Sequence, residues 1–501
     1  MSSASAPPRR IVILGGGAAG WMSAATLTTA IRSAEVVLVE SEEIGIIGVG
    51  EATFPSIRTF NQVLGIDEGE FLAATRGSYK LGIQFCDWHR RGEQFFHTFG
   101  NFGYTDGPMA LWGQLRRLRE HIPAQLGDFC LPAVMASKGR FLPPSSQEGL
   151  ESYGYAYHFD AARYAAFLRQ WSEKRGARRI EGRVAEVARR EDGGVRALRL
   201  ADGREIEGDL FVDCSGFASL LIGQTLSQRF IDYSHWLPVD RAWAVPSERP
   251  TGGLTPYTRA VAQEAGWTWR IPLQDRTGNG HVFSSRYIDE TKAREQLLAQ
   301  LDAPALAEPR LLRFQSGHRE RFWVHNVVAI GLAGGFLEPL ESTAIYLVQT
   351  AIGRLVEALL DTKQTPAELT TGFNIQQLRQ YQRLRDFLIL HYHLSERRDS
   401  EFWRAMTSMA LPESLAYKLH AWQETGTLQI YDNEAFEATS WLTIHAGMDN
   451  WPRRSSPWLL EIPADVARRY LAEHHHAVNA LAERMPDHDA FLRHICARAQ
   501  G

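Results

Sequence analysis

A chain of 501 residues is too long for one hydrophobic core, so two or three subdomains are expected. A net charge of −4 with 44% apolar residues excludes a nucleic-acid-binding polycation and is the composition of an ordinary globular enzyme. No stretch reaches the roughly 18 consecutive apolar residues of a membrane span. The cysteines, Cys86, Cys130, Cys214 and Cys496, lie too far apart for a disulfide framework or a metal site, which fits a reducing cytoplasm.

Residues 1–9, polar and proline-bearing, read as a frayed tail. Arg9-Arg10 followed by an apolar run imitates a signal peptide, but Gly15, Gly16, Gly17 and Gly20 break that run at a different, recognisable spacing. Residues 10–14 read as a buried parallel strand, Gly15–Gly20 as a turn, residues 20–32 as a helix and Glu35–Glu40 as a second strand. This is the βαβ start of a doubly wound α/β domain. In Ser78–Phe85, Leu81, Ile83 and Phe85 alternate, so Lys80 projects from the other face of a strand and reads, on pattern alone, as a solvated lysine. Asp160 is placed to cap a helix reaching Arg175, with Tyr164, Phe167, Leu168 and Trp171 on one face. Short strands follow, separated by turns at Asp192-Gly193-Gly194 and Asp202-Gly203, and Leu210–Asp213 is another buried strand. Trp267 and Trp269 alternate on one face of a strand. Residues 327–331 form a further strand before a glycine-rich turn at 331–335. From about residue 342 the pattern is helical, beginning with Ile345, Val348, Ile352, Leu355 and Leu359.

The chemistry begins at the glycines. Gly15 serves the tight turn, Gly17 a close approach of backbone to a pyrophosphate, and Gly20 close packing of helix on strand. Ala18 and Ala19 open a helix whose free N–H groups face the phosphates. Glu40, ending the second strand, is placed to accept from ribose hydroxyls, which suits FAD or NAD rather than a 2′-phosphate. The later strand–glycine segments at 210–216 and 327–335, the latter including Leu332, favour FAD, and Gly182-Arg183-Val184 lies where such folds clasp the adenine. An ordinary βα turn explains any one of these clusters taken alone. The fold class is therefore α/β: an FAD-binding doubly wound domain over residues 10–350, an inserted antiparallel sheet at about 75–300, and a mainly helical C-terminal part at 351–501 that completes the substrate site.

Glu338-Pro339-Leu340-Glu341-Ser342-Thr343-Ala344 opens a long apolar helix. Ser342 or Thr343 could simply cap it. Alternatively, the amides of Thr343 and Ala344 could bind a small anion with Glu341 beside them as a base. A buried Lys80 would be a perturbed ammonium or amine able to donate to an electrophile or react with it.

Gly266-Trp267-Thr268-Trp269-Arg270-Ile271-Pro272 resembles the hallmark of the flavin-dependent halogenases of the tryptophan-halogenase type. Gly48-Val49-Gly50-Glu51-Ala52-Thr53-Phe54-Pro55 looks like that family's flavin-contacting loop, Lys80 stands in its SYKLGI context, and Glu341-Ser342-Thr343 stands in its PLEST context. Arg385–Tyr392 is also similar, and the resemblance spans residue 10 to about 460. It implies an FADH2-dependent enzyme fed by a separate NADH-dependent flavin reductase, using O2 and chloride or bromide by way of a flavin hydroperoxide and hypohalous acid. Flavin contacts would come from Gly50, Glu51, Ala52, Thr53 and Ile345, and halide contacts from Ser342, Thr343 and Ala344. Trp267 and Trp269 would shield the flavin. Lys80 would activate the hypohalous acid, by hydrogen bonding or as a haloamine, and Glu341 would take the proton from the attacked ring. No metal, nucleic acid or membrane is called for, and a homodimer is a family-level expectation.

Two departures bear on specificity. A Gly follows Ser-Thr in the tryptophan-specific enzymes, whereas here it is Ala344. Their Tyr-Tyr-rich segment, which grips the amino acid, corresponds here to Phe436–Ile444, where no such grip is visible. The pattern is closer to the indole-halogenating subgroup, so indole or a substituted indole is expected, with Phe99, Phe102 and Trp441 as candidate walls of its site. An aromatic monooxygenase or a non-catalytic flavoprotein would share the FAD fold without needing Lys80 or Glu341.

Overall fold

The computed structural model describes residues 8–43, 50–103, 107–145, 153–454 and 456–500. Residues 1–7 of the expected tail, and Gly48 and Val49 of the expected flavin loop, lie outside them. The chain forms two compact units, each assembled from separated stretches: residues 1–77, 159–235 and 314–382, and residues 78–158, 236–313 and 383–501. Residue 350, the expected division, lies in the helix Ala344–Leu360.

The first unit is built on a six-stranded sheet in the order Trp323–Val324, Val327–Ala329, Leu210–Asp213, Arg10–Leu14, Glu35–Glu40 and Arg178–Glu181. Every pair is parallel except the first hairpin. Continuous apolar strands are what a sheet covered on both faces requires, and Ile11, Val12 and Ile13 have no exposed surface. The apolar run that imitates a signal peptide is thus a central strand. The fingerprint helix begins two residues before its expected start, at Ala18, and ends at Ala30. The strand expected over 327–331 stops at Ala329, and residues 331–333 form a tight 3-10 turn. Asp160 accepts from the Arg163 amide and caps Ala161–Glu173 as expected. The expected turns join Val184–Arg189, Val195–Leu200 and Glu205–Glu207 into a small antiparallel sheet.

The second unit is built on a seven-stranded sheet in the order Arg310–Arg313, Arg241–Ser247, Thr277–Phe283, Gly266–Pro272, Tyr257–Ala262, Gly82–Cys86 and Gln94–Thr98. It is antiparallel apart from the junction of Tyr257–Ala262 with Gly82–Cys86. A three-residue strand, Ser78–Lys80, pairs antiparallel with Ala156–Asp160 through its partners Ala156, Tyr157 and His158. The expected helical end is present here, including Glu401–Ser408, Glu413–Thr425, Ala438–Gly447, Ala464–Glu483 and His488–Gln500.

The first strand-to-helix turn depends on steric exclusion. Gly15 has φ +116, a conformation that L side chains rarely adopt, and a Cβ there would collide with the Cys214 carbonyl. Gly15→Ala should therefore destabilise the flavin-free protein by about 3 kcal/mol or more, read from its urea unfolding midpoint.

Candidate active site

In the first unit three separate stretches meet at the fingerprint. A Cβ on Gly20 would collide with the Gly15 carbonyl, so the helix sits directly on the turn. A Cβ on Gly16 would collide with Glu40, an exclusion that the spacing rule did not assign. Gly331, with φ +73, brings the late turn within a methyl's reach of Ala19 and Val348, the latter on Ala344–Leu360. At Gly17 an added Cβ would meet nothing within 4 Å, and the helix that Gly17 caps has no side-chain cap. An open backbone at an uncapped helix N-terminus fits a dinucleotide pyrophosphate.

Glu40 is more engaged than a free ribose acceptor would be. One carboxylate oxygen pairs with Arg179 and the other accepts from the Trp21 indole at 3.4 Å. Leu332 lies in the late turn, Val184 starts its strand at partial exposure, and Ile345 is buried in the first turn of Ala344–Leu360. Gly50–Ala52 form a short strand that leads through Thr53, which is fully buried. Burial pushes the Glu51 carboxyl up to about 7. The segment after it is tied to the Ala344–Leu360 helix by the Phe54 and Tyr346 rings, 5.2 Å apart, and by Ser56 Oγ donating to Gln349 at 2.5 Å.

The segment before that helix is buried at Glu338, Leu340, Glu341, Ser342 and Thr343. Ser342 has φ +60, a left-handed conformation uncommon outside glycine, which persists only where the surroundings enforce it. Thr343 is the N-cap and makes no side-chain cap hydrogen bond. The Ala344 side chain leaves its amide in place. The arrangement suits an anion at the start of a 17-residue helix.

In the second unit Lys80 has no exposed surface, which corrects the solvated lysine that the alternation suggested. Leu81 interrupts the ladder, its amide donating to Pro256 O at 2.7 Å, and every residue from Ser78 to Cys86 is buried. Lys80 Nζ stands 5.5 Å from the Phe99 ring. That contact contributes roughly 1 kcal/mol, against the several kcal/mol that desolvating an ammonium costs. The opposite face of the strand carries Tyr79, which stacks on Phe141 at 4.0 Å and touches Tyr155, Phe491 and His488. Ser78 Oγ donates to Pro272 O at 2.6 Å and lies 3.1 Å from His158 Nδ1, while His158 Nε2 lies 2.9 Å from Thr258 Oγ1. Neither Ser78 nor His158 was singled out from the sequence. Strand alternation could have found Ser78, two residues before Lys80, but nothing local marks His158.

Trp267 and Trp269 are both buried, with ring centroids 6.1 Å apart, and the Trp269 ring occupies the space over Gly280. Of the wall candidates, Phe99 is half-buried beside Lys80, whereas Phe102 belongs to a core cluster with Phe129 and Leu471. Trp441 is buried against Phe387 and beneath Lys418, whose ammonium lies 3.8 Å from the ring centroid and pairs with the equally buried Glu434. Among the described residues no cluster of His, Cys, Asp and Glu could hold a metal, and no helix is long and apolar enough to cross a membrane.

The tryptophan halogenase family profile matches residues 10–464, and the chain belongs to that family. It is 36% identical to a tryptophan 6-halogenase, SttH, from Streptomyces toxytricini, over 90% of this chain and 92% of that protein. Among solved structures it is similar to BrvH, a flavin-dependent halogenase from Brevundimonas sp. BAL3, at 41% identity and TM-score 0.93, covering 97% and 99% of the two chains. It is also similar to Xcc4156, a flavin-dependent halogenase from Xanthomonas campestris, at 42% identity and TM-score 0.93, covering 98% and 99%. The chain is thus an oxidoreductase of the flavin-dependent halogenase class. That chemistry uses reduced flavin, a halide and a small aromatic substrate, with a separate flavin reductase. Gly17→Ala should leave stability within about 1 kcal/mol yet weaken FAD binding by roughly tenfold, measured by flavin fluorescence titration.

Proposed function

We propose that this chain halogenates indole or a substituted indole, with chloride or bromide as the halide. The observation that carries the reading is Lys80, fully buried on its short strand in a chain of the halogenase family. Reduced FAD, with O2, supplies the oxidising equivalent that converts halide to hypohalous acid. Gly15, Gly17, Ala18, Ala19 and Gly20 hold its pyrophosphate, with Glu40, Val184, Leu332, Ile345 and the Gly50–Thr53 segment as the remaining contacts. Trp267 and Trp269 would shield the flavin.

The amides of Thr343 and Ala344, with Ser342, hold the halide at the positive end of the helix. Lys80 Nζ either donates a hydrogen bond to the hypohalous acid or, as the neutral amine, takes its halogen in exchange for an N–H proton, with release of water, to give a haloamine; in either case an electrophilic halogen is presented to the ring. The Glu341 carboxylate stabilises the cationic ring that follows and accepts its proton. Phe99, beside Lys80, is the wall residue with the strongest support. Phe102 and Trp441, packed in core, contribute at most an edge.

The helix Ala438–Gly447 supports indole over free tryptophan. It occupies the region where an amino-acid grip would lie, and just before it Phe436 is stacked on Phe387 at 3.9 Å. The stacked rings are apolar, and the charges nearby, Lys418 and Glu434, are buried and paired with each other. The test is mass spectrometry of indole and tryptophan incubated with FAD, a flavin reductase, NADH, O2 and halide. Indole should acquire a halogen isotope pattern at a kcat/KM at least about tenfold above that of tryptophan. Lys80→Ala and Glu341→Gln should each lower product by about a hundredfold or more. Hydroxylated indole that survives Lys80→Ala would make the protein a monooxygenase and end this reading.

A further inference from the structure

We infer that His158 is a positioning residue for Lys80: a neutral imidazole, protonated on Nδ1, that ties the lysine's strand to Tyr257–Ala262 of the main sheet. The inference rests on the role of Lys80 given above.

The register pairs Ser78 with His158 and Lys80 with Ala156, so these four side chains share one face of the paired strands. That pairing is short. Lys80 ends a strand of three residues, whose backbone partners are Ala156, Tyr157 and His158. Side-chain hydrogen bonds add to that pairing. Ser78 has one hydroxyl hydrogen, and it goes to Pro272 O at 2.6 Å. Towards His158 Nδ1, 3.1 Å away, Ser78 Oγ must therefore accept, which places a hydrogen on Nδ1. Nε2 is left as the acceptor for the Thr258 hydroxyl at 2.9 Å.

Pro272 ends the strand Gly266–Pro272, which carries Trp267 and Trp269. Thr258 lies on Tyr257–Ala262, which pairs with that strand on one side and with Gly82–Cys86 on the other. The imidazole therefore links the lysine's strand to Tyr257–Ala262, while the Ser78 hydroxyl that it fixes links the same strand to Gly266–Pro272. Ser78 and His158 have no exposed surface and Thr258 has 5%. In such a setting each broken bond strands a buried polar group.

The other groups acting on His158 support a neutral ring. Burial, the Lys80 ammonium and His488 all hold it well below the ordinary imidazole range. His488 is itself lowered to about 4 by burial, and its Nδ1 donates to Leu254 O at 2.9 Å. A cationic His158 would also repel Lys80. Misplacing the ammonium by a fraction of an ångström leaves the oxidant formed but the transfer inefficient, because transfer depends on close alignment.

The test compares His158→Leu, His158→Asn and Ser78→Ala with Lys80→Ala in the full-length enzyme, counting halogenated indole and free hypohalous acid, the latter trapped by a thiol. In His158→Leu, halogenated product should fall about tenfold or more while trapped oxidant rises and the indole KM stays within about twofold. His158→Asn, which keeps a donor for Ser78, should recover part of the product, and Ser78→Ala should reproduce the leak in a milder form. On the parent protein labelled with 15N-histidine, the His158 resonances should report the Nδ1–H tautomer, a readout that needs neither flavin nor turnover. A folded His158→Leu with full product yield beside an inactive Lys80→Ala overturns the role of His158 alone, as does an Nε2–H tautomer. A Lys80→Ala with full yield overturns both readings.

Discussion

Removing a lysine ammonium from water costs several kcal/mol, and the second unit is organised around one that has no exposed surface. Two of the chain's lysines are buried, and their surroundings differ in kind. Lys418 pairs with the equally buried Glu434 over the faces of Trp441 and Tyr431, an arrangement that a structural ion pair explains. Lys80 stands on a three-residue strand with an aromatic wall behind it and a serine–histidine–threonine network beside it. Electrostatics around Lys80 are strengthened by the exclusion of water, and a group kept from solvent is also kept from bulk reductants and nucleophiles. That is a sensible place to handle an electrophilic halogen.

The first unit solves a different problem, bringing backbone close to a large anionic cofactor. Its glycines act by exclusion: at Gly15, Gly16 and Gly20 a side chain would strike the Cys214 carbonyl, Glu40 and the Gly15 carbonyl, whereas at Gly17 the space is open. Packing closes the turn on three sides and leaves the fourth for phosphate. The same unit holds Ser342 in a left-handed conformation immediately before an uncapped helix start. A left-handed non-glycine residue is held only where its surroundings enforce it.

Much of this was legible in the sequence because it depends on local pattern. The strands at 10–14, 35–40 and 210–213, the Asp160 cap and the helix begun by Ile345 follow from hydrophobic period and capping chemistry. What was not legible depends on long-range pairing. Alternation around Lys80 implied a wet face, but Leu81 interrupts the strand and the pairing of Ser78–Lys80 with Ala156–Asp160 covers what a lone edge would expose. His158 reaches Ser78 and Thr258 across 80 and 100 residues of chain, beyond any local signal. The interleaving of the two units was hidden for the same reason: two of its boundaries, at 158/159 and 382/383, fall inside the continuous strand Ala156–Asp160 and the continuous helix Pro366–His393, where no turn residue marks a break.

The enclosure of Lys80 can be measured directly by pulse acylation of the native protein with a water-soluble amine reagent, followed by peptide mass spectrometry. Lys138, Lys174, Lys292 and Lys363, all exposed, serve as internal controls. Lys80 should label about a hundredfold more slowly than these, reacting only through rare opening of its strand, and should match them once the chain is unfolded. Labelling of native Lys80 at the rate of Lys292 would contradict a buried ammonium and the mechanism built on it.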